Sequence, residues 1–564
     1  MTDSPGTVSL LWPPGHQQAF SYDDARELTS DLNLRLLVRR LSLNPSYESF
    51  VRDLLLSLST EEDVIRYRQA ILSDLLHDED LVLQLEVLLE RILDLEGYLM
   101  APQWRDNRLR LVAWRLSELD NYVNCVVQFD EVMQHVGDRL QSEALQCLRD
   151  DIHQQVNSPG FISLRQTLPE LLPKIQAIRS VTIGVNLDDQ LRPLSATLLD
   201  AHIERFVGAG ILDRFFKRDN SPLQGKGPLH DARSLNTGNA KFHIELEDRN
   251  SPFMPQLFRD LSQLVNDTSR PVEDALKQFT AVNTRSLIAL KNEIAFYLGA
   301  AKLIKKLRAA GLPMSAPEIV PMSQRMMKVQ ALYNINLALQ LLTKQDHLDK
   351  TIVRNDAEFG PDGRIFILTG PNQGGKTTYT QAIGLLHLLA QAGLYVPASK
   401  AVISPVDGIY THFATEERPE YEAGRLGEEA RRLGGIFQKA TPASLVLLNE
   451  SLSSTAADES VFIARDVLRV LRRLGLRAVF ATHLHTLAAE ADAINSDSDG
   501  DARIISVVSH VVIEHGDDGQ IVRRTYEIKP GPPMSRSYAV ELAARFGISY
   551  DQLTEVLRQR NLID

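Results

Sequence analysis

The sequence predicts a multidomain fold: a helical region, interrupted by a small β-containing insert, followed by an α/β domain built on a parallel sheet. Three observations predict it. Apolar residues recur every three or four positions through the first part of the chain, the period shortens to two near Val181, and three late apolar runs each end in chemistry-bearing residues.

Helical periodicity runs from about Tyr22 to Gln155, as in Leu81, Leu85, Leu88, Ile92 and Leu95. Ser59-Thr60-Glu61-Glu62 reads as a Ser-x-x-Glu capping box before the stripe Val64, Tyr67, Ile71 and Leu75. A helical core domain is therefore expected over 1–170. Val181, Ile183, Val185 and Leu187 alternate with Thr182, Gly184 and Asn186, and Phe242, Ile244 and Leu246 repeat the pattern, so 171–265 is assigned to a β-containing insert. Its Lys217–Gly238 stretch, rich in Gly, Pro, Asn and Asp, reads as loop. The helical period resumes with Leu287, Leu290, Ile294, Tyr297, Ala301 and Ile304 and is expected to continue to about Lys344, a helical return over 266–345.

The last segment, 346–564, carries the chemistry. Gly370-Pro371-Asn372-Gln373-Gly374-Gly375-Lys376-Thr377 satisfies the pattern G-x-x-x-x-G-K-S/T, follows the apolar run Ile365–Thr369 and precedes a helical pattern from Tyr379 to Ala392. In that setting backbone N–H groups converge on phosphate oxygens. Residues Gly370 to Thr378, Thr378 included, are the candidate ATP-binding loop; Lys376 reaches the β and γ phosphates and Thr377 offers its hydroxyl to Mg²⁺. A second run, Ser444 to Leu448, ends in Asn449 and Glu450. Asn449 stands where an Asp commonly holds Mg²⁺ or its water, and Glu450 is placed to orient or deprotonate the attacking water. A third run, Ala478 to Thr482, delivers His483 toward the γ phosphate. Glu450, His483 and Lys376 are thus the catalytic candidates, and Thr377 and Asn449 the metal candidates, Asn449 through water. After His483, Asn495–Asp501 reads as a solvated loop, and His515 to Gly519 as a hairpin turn between two strands.

A chain of 564 residues, 44% hydrophobic and 24% charged, divides into several domains with large cores. The formal charge of -12 argues against a uniformly basic nucleic-acid coat while leaving room for a local basic face. Cys125 and Cys147 are the two cysteines, no C-x-x-C pair is present, and the N-terminus lacks a basic region followed by a long apolar one, so a reducing cytoplasm is expected. No apolar run approaches a membrane span.

With the three sites in view, the chain resembles the MutS family, ABC-type ATPases of DNA mismatch repair. Gly370 to Tyr379 matches the family's TGPN-x-GGKSTY loop; Tyr395-Val396-Pro397-Ala398 and Pro405-Val406-Asp407 match its VPA and P-x-D segments. Ala440-Thr441 before Ser444-Leu445-Val446-Leu447 matches its AT-x-x-SLVL strand, and Phe480-Ala481-Thr482-His483 its FATH switch. Ser537-Tyr538 and the helix after them look like its C-terminal dimerisation element. Arg68-Gln69, Leu75, Leu76 and the helix around Leu93-Asp94-Leu95-Glu96 resemble the family's core, and the β insert lies where the family places its DNA clamp. The resemblance implies a helical core and lever with a clamp-like insert, a P-loop (ABC-type) ATPase domain, ATP and Mg²⁺ as cofactors, a homodimer, and sequence-independent binding of duplex or branched DNA.

Three departures point to a divergent branch. Asn449 replaces the acidic residue of the second strand, implying slower hydrolysis. Gly424-Arg425-Leu426-Gly427-Glu428-Glu429 lacks the Ser-Thr-Phe signature by which one subunit touches the other's γ phosphate, a contact Arg425 or a helix N-terminus would have to replace. Glu450-Ser451-Leu452-Ser453-Ser454-Thr455 replaces E-x-GRGT. Phe129-Asp130-Glu131 formally matches the mismatch-reading Phe-x-Glu wedge, but it lies inside a helical pattern, Val126 to Val136, so mismatch sensing is not expected. The chain also ends soon after the dimerisation helix, leaving no room for the nuclease-like tail of one branch. Lys302, Lys305, Lys306 and Arg308 with the β insert form the candidate DNA face, whereas Arg465, Arg469, Arg472, Arg473 and Arg477 read as a solvated helix face. The expected function is a DNA-clamping ATPase in repair or recombination; the rival is a nucleotide-switched protein scaffold that binds no DNA. An ABC transporter ATPase would need LSGGQ, and an SMC-like protein long heptad arms; both are missing.

Overall fold

The computed structural model describes residues 8–16, 25–100, 108–176, 180–187, 189–190, 193–202, 276, 285–414, 424–452, 457–516, 519–533, 547–560 and 562–563. The chain divides into two compact units, one of Met1–Glu86, Val136–Leu148 and Leu290–Asp564, the other of Val87–His135 and Arg149–Ala289. Helices fill the N-terminal region: α1 (Arg26–Asp31), α2 (Leu34–Leu41), α3 (Glu48–Leu56), α4 (Glu62–His77), α5 (Glu79–Met100), α6 (Arg108–Val136), α7 (Glu143–Val156) and α8 (Pro159–Gln176). The apolar stripe read from the sequence is their core: Leu81, Leu88, Ile92 and Leu95 of α5 are fully buried.

In the second unit, Phe129 of α6 is buried within its helix, which disposes of the wedge reading. The rings of Tyr122 and Phe161 meet edge-on at 6.3 Å between α6 and α8. The alternating stretch near Val181 forms the antiparallel pair β1 (Ser180–Leu187) and β2 (Pro193–His202). The second alternating run, at Phe242, Ile244 and Leu246, and the Lys217–Gly238 loop lie outside the described residues.

Two sequence expectations are corrected in the first unit. The Ser59 capping box does not form, because α4 starts at Glu62 with Glu61 as its cap and no side-chain capping bond; the Ser59 carbonyl instead accepts Gln391 Nε2 at 3.0 Å. The helical return ends at Ala309 with α9 (Arg285–Ala309). Beyond it lie β3 (Glu318–Ile319), β4 (Met327–Leu332) and the short α10 (Ile335–Leu341), and these strands join β5 (Asn355–Phe359) and β7 (Lys400–Ile403) in a four-stranded mixed sheet of order β3-β7-β4-β5. Met327 and Val329 are buried and Lys328 and Gln330 exposed, the period of a strand.

The C-terminal part is built on a six-stranded sheet, order β12-β11-β6-β10-β9-β8. Its strands are β6 (Ile365–Thr369), β8 (Ile409–Phe413), β9 (Leu445–Asn449), β10 (Arg477–Ala481), β11 (Ile504–Gly516) and β12 (Gly519–Pro530), parallel except for β12. Strands β6, β9 and β10 are buried at every position, as runs flanked by helices on both faces must be. On one face Ile365, Ile367, Val446, Leu448, Ala478 and Phe480 pack with α13 (Ala457–Leu474), α14 (His485–Ala489) and α15 (Ala491–Asp497). On the other face lies α11 (Lys376–Gln391), whose Gly384 lets the side-chain tips of Leu32 and Leu447 come within 3.0 Å of where a Cβ would sit. The Asn495–Asp501 stretch is solvated but not all loop: α15 continues to Asp497, Asn495 brackets the backbone of Ile504, and Asp501 pairs with Arg325 and Arg364.

The basic run after Glu450 is likewise not one solvated face. Arg465 pairs with Glu490 at 2.6 Å, Arg472 donates to the carbonyls of Asn495, Ser498 and Ala502, and Arg477 lies on β10, fully buried. The Arg477 guanidinium donates to the carbonyls of Met326, Ser404, Pro405 and Ala443. Helix α12 (Gly424–Lys439) carries the segment from Gly424 onward, and the C-terminal α16 (Tyr550–Gln559) starts at a true capping box, Ser549 with Gln552. Ser453–Thr455 and Ser537-Tyr538 lie outside the described residues. Among the described residues no helix is long and apolar enough to cross a membrane.

Candidate active site

The loop Gly370–Gly375 leaves β6 and enters α11 with three backbones in the left-handed region: Gly370 (φ 142°), Gln373 (φ 60°) and Gly375 (φ 91°). A side chain at Gly370 would strike Ser509 of β11, 2.7 Å from the built Cβ, so both conformation and space demand glycine there. Ser509 Oγ donates to Gly374 O at 2.6 Å, and Arg524 reaches Gln373 Oε1 at 3.1 Å, so the hairpin β11–β12 is latched to the loop.

Lys376, at the first position of α11, is buried and donates its Nζ to Gly370 O (3.0 Å) and Pro371 O (3.2 Å). Burial lowers its pKa, and the charge of Glu450 acts against that shift. Thr377 Oγ1 lies 3.1 Å from Asn449 Oδ1, so the two metal candidates face one another across the α11–β9 junction. Glu450 caps β9, its N–H donating to Ala481 O at 2.8 Å, with a left-handed backbone (φ 55°). Its Oε1 is 2.8 Å from Nε2 of His483, which follows β10. That hydrogen bond holds the Glu450 carboxyl below the usual carboxylate range against the opposing effect of burial, with smaller help from the His483 and Lys376 charges. His485 starts α14, and His483 and His485 gather no third metal donor among the described residues.

A cavity of about 480 Å³ opens beside the loop, lined by Gln373, Lys376, Thr377, Glu450, Val353 and Tyr526 among others. The residues fit a nucleoside triphosphate with a divalent cation: a loop of amides at a helix N-terminus, a buried ammonium beside it, and a hydroxyl facing an amide oxygen. The sequence motifs missed Tyr526, whose left-handed backbone (φ 59°) turns it over Gly375, and Asn355, which holds that turn through Tyr526 O (3.1 Å) and Ile528 N (2.7 Å). The segments Pro405–Asp407 and Ala440–Ser444 lock together, Asp407 accepting from the hydroxyls of Thr441 and Ser444.

Residues 366–559 match the family model described as MutS domain V, and residues 60–310 match the MutS2 N-terminal domain. The chain is a divergent MutS-like protein. It is 31% identical over 201 residues to a protein of Thermus thermophilus named Endonuclease MutS2, an alignment covering 36% of this chain and 25% of the relative. It is 31% identical over 220 residues to DNA mismatch repair protein MutS 2 of Halobacterium salinarum, covering 39% of this chain and 24% of that one. With DNA mismatch repair protein MutS of Chlorobium phaeovibrioides it shares 32% over 203 residues, 36% and 22% of the two chains. The MutS-like chain thus aligns with about a quarter of the length of each. Its helical N-terminal region and its mixed α/β sheets in the C-terminal part are those expected of a chain with these two matches.

Proposed function

We propose that this chain is a DNA-binding ATPase that couples ATP binding and hydrolysis in a homodimer to the clamping of duplex or branched DNA, in repair or recombination rather than mismatch sensing. The observation that carries the reading is that Lys376, Thr377 and Glu450 line one cavity, with Asn449 hydrogen-bonded to Thr377 and His483 to Glu450. The domain arrangement that goes with it is the helical core (1–170), a clamp-like insert (171–265), a helical return that ends at Ala309, and an ABC-type ATPase with C-terminal dimerisation helices (346–564). Exposed apolar side chains on and beside α16, Tyr550, Leu553 and Val556, support a role for that helix in pairing two copies.

In this mechanism the loop from Gly370 to Thr378 holds the triphosphate through the backbone N–H groups of its residues other than Pro371, and Lys376 turns from its own loop carbonyls to the β and γ phosphates. Thr377 and, through water, Asn449 would hold Mg²⁺, which would supply neutralising charge to the phosphates. Glu450, kept ionised by His483, accepts a hydrogen bond from the attacking water and aligns it for in-line displacement. DNA would be held through its backbone, so affinity should fall steeply with salt.

A nucleotide-switched scaffold without DNA binding is the second reading, and one observation favours it. In the candidate DNA patch two of the four cations are paired with carboxylates, Lys302 with Glu86 (2.8 Å) and Lys305 with Glu79 (3.1 Å), which halves the charge the patch offers a phosphate backbone. The deciding experiment is steady-state ATP hydrolysis with homoduplex, mismatched and branched DNA, using Glu450→Ala as the blank. Stimulation by a DNA form, lost in the variant, supports the clamp. Glu450-dependent hydrolysis indifferent to every DNA supports the scaffold.

A further inference from the structure

Next to Glu450, and not among the residues that line the cavity, two buried polar residues face each other. Ser451 Oγ lies 2.6 Å from His412 Nδ1 and 3.1 Å from His412 O, and neither residue is more than 2% exposed. The hydroxyl has one hydrogen. The contact with a carbonyl oxygen requires that hydrogen, so the ring must donate through Nδ1–H, and with no acceptor beside Nε2 to hold a second proton the ring is the neutral imidazole. Nε2 is buried and has no partner among the described residues, and burial lowers the ring's pKa to about 4, consistent with that assignment.

The turn these groups serve is strained. Glu450 (φ 55°) and Leu452 (φ 64°) are both non-glycine residues in the left-handed region, and Ser451 sits between them. Such a conformation persists only when its surroundings over-determine it. Here β8, which runs parallel to β9 with His412 opposite Leu448, supplies the fixed point, and Ser460 Oγ holds Leu452 O at 2.7 Å from α13. The bond across β8 and β9 therefore sets the direction in which the Glu450 side chain leaves its strand.

We propose that Ser451 and His412 are positioning residues that hold the Glu450 carboxylate against His483 and over the nucleotide cavity. This rests on the ATPase reading above and adds to it a second pair of side chains on which water alignment depends. Neither residue touches the cavity, so their effect belongs in kcat and not in nucleotide affinity.

The test uses the full chain and the variants Ser451→Ala, Ser451→Thr, His412→Leu and His412→Asn. Ser451→Ala and His412→Leu should each lower kcat for ATP by about 100-fold with KM close to that of the unmodified protein. Ser451→Thr keeps the hydroxyl, and His412→Asn places an amide N–H where Nδ1–H was; both should recover most of the rate. The double variant Ser451→Ala with His412→Leu should be no slower than either single one. Unchanged kcat, a KM that rises in step with the loss, or additive losses would overturn the proposal; if His412→Leu fails to fold, Ser451→Ala, which removes one oxygen, decides. A hydrolysis-independent readout is the ring ¹⁵N signal of His483, which Ser451→Ala should move toward its position in Glu450→Ala. If the unmodified protein shows no Glu450-dependent hydrolysis, the ATPase reading falls, and this signal alone decides the positioning claim: an unmoved signal overturns it.

Discussion

Glu450 and His483 stand at the ends of neighbouring parallel strands and meet at 2.8 Å, Oε1 to Nε2, so the sheet itself brings the catalytic candidates together. Because the His483 bond is the largest influence lowering the Glu450 pKa, with burial pulling the other way, the acid limb of hydrolysis should lie below the usual carboxylate range. His483→Ala removes that bond and leaves the burial, so the limb should move to higher pH. The rate of hydrolysis measured between about pH 3 and 8 checks the sign. A limb that stays in place would belong to a different group.

Asn449 faces the Thr377 hydroxyl at 3.1 Å with a neutral oxygen. Asn449→Asp adds a negative charge within reach of a bound cation, worth about a factor of ten in affinity. The Mg²⁺ concentration for half-maximal hydrolysis should fall by that factor and kcat should rise. An unchanged Mg²⁺ dependence would place the cation away from Asn449.

The parts of this arrangement that could be read in the chain are those written locally. A strand that ends in Asn449-Glu450, another that ends before His483, and a glycine loop before Lys376 each need only a few consecutive residues to be recognised. What stayed hidden depends on partners far away in sequence. The strand of Met327 and Val329 acquires its identity from Ala357 and Ala401, so helical continuity was the natural local reading. Ser59 had a competing use for its backbone, and the helix began without it. Arg477 completes a helix-like spacing of arginines in the chain but sits on the next strand, with its guanidinium turned inward. The Ser451–His412 bond follows from the register of β8 against β9, which no single segment encodes.

Arg477 gives the largest stability prediction. Burial depresses its pKa to about 9, and its guanidinium serves the carbonyls of Met326, Ser404, Pro405 and Ala443. Arg477→Met keeps most of the volume and takes this donor from the carbonyls of Ser404, Pro405 and Ala443, while Met326 O keeps the N–H of Ser404, at a cost of about 3–5 kcal/mol. Chemical unfolding should show the loss, and Arg477→Lys should recover little of it, since one ammonium cannot replace the planar fork. A near-neutral Arg477→Met would mean that water satisfies those carbonyls.

Asp31 carries the opposite kind of charge problem. It is buried at the end of α1, accepts from Phe413 N at 3.3 Å, and has Arg432 at 3.8 Å, too far to offset the burial that raises its pKa to about 6. A folded pKa above the unfolded 3.8 means that stability from this group is present below that value and is lost as pH rises through about 6. Asp31→Asn removes the penalty while keeping an acceptor for Phe413 N. At pH 7.5 the variant should therefore exceed the unmodified protein in stability by about 1–3 kcal/mol, and at pH 5 the gap should shrink. Unfolding measured at the two pH values decides between this account and one in which the Arg432 charge governs. An Asp31→Asn protein equally destabilised at both would mean that the pairing with Arg432, and not desolvation, sets the energy of this carboxylate.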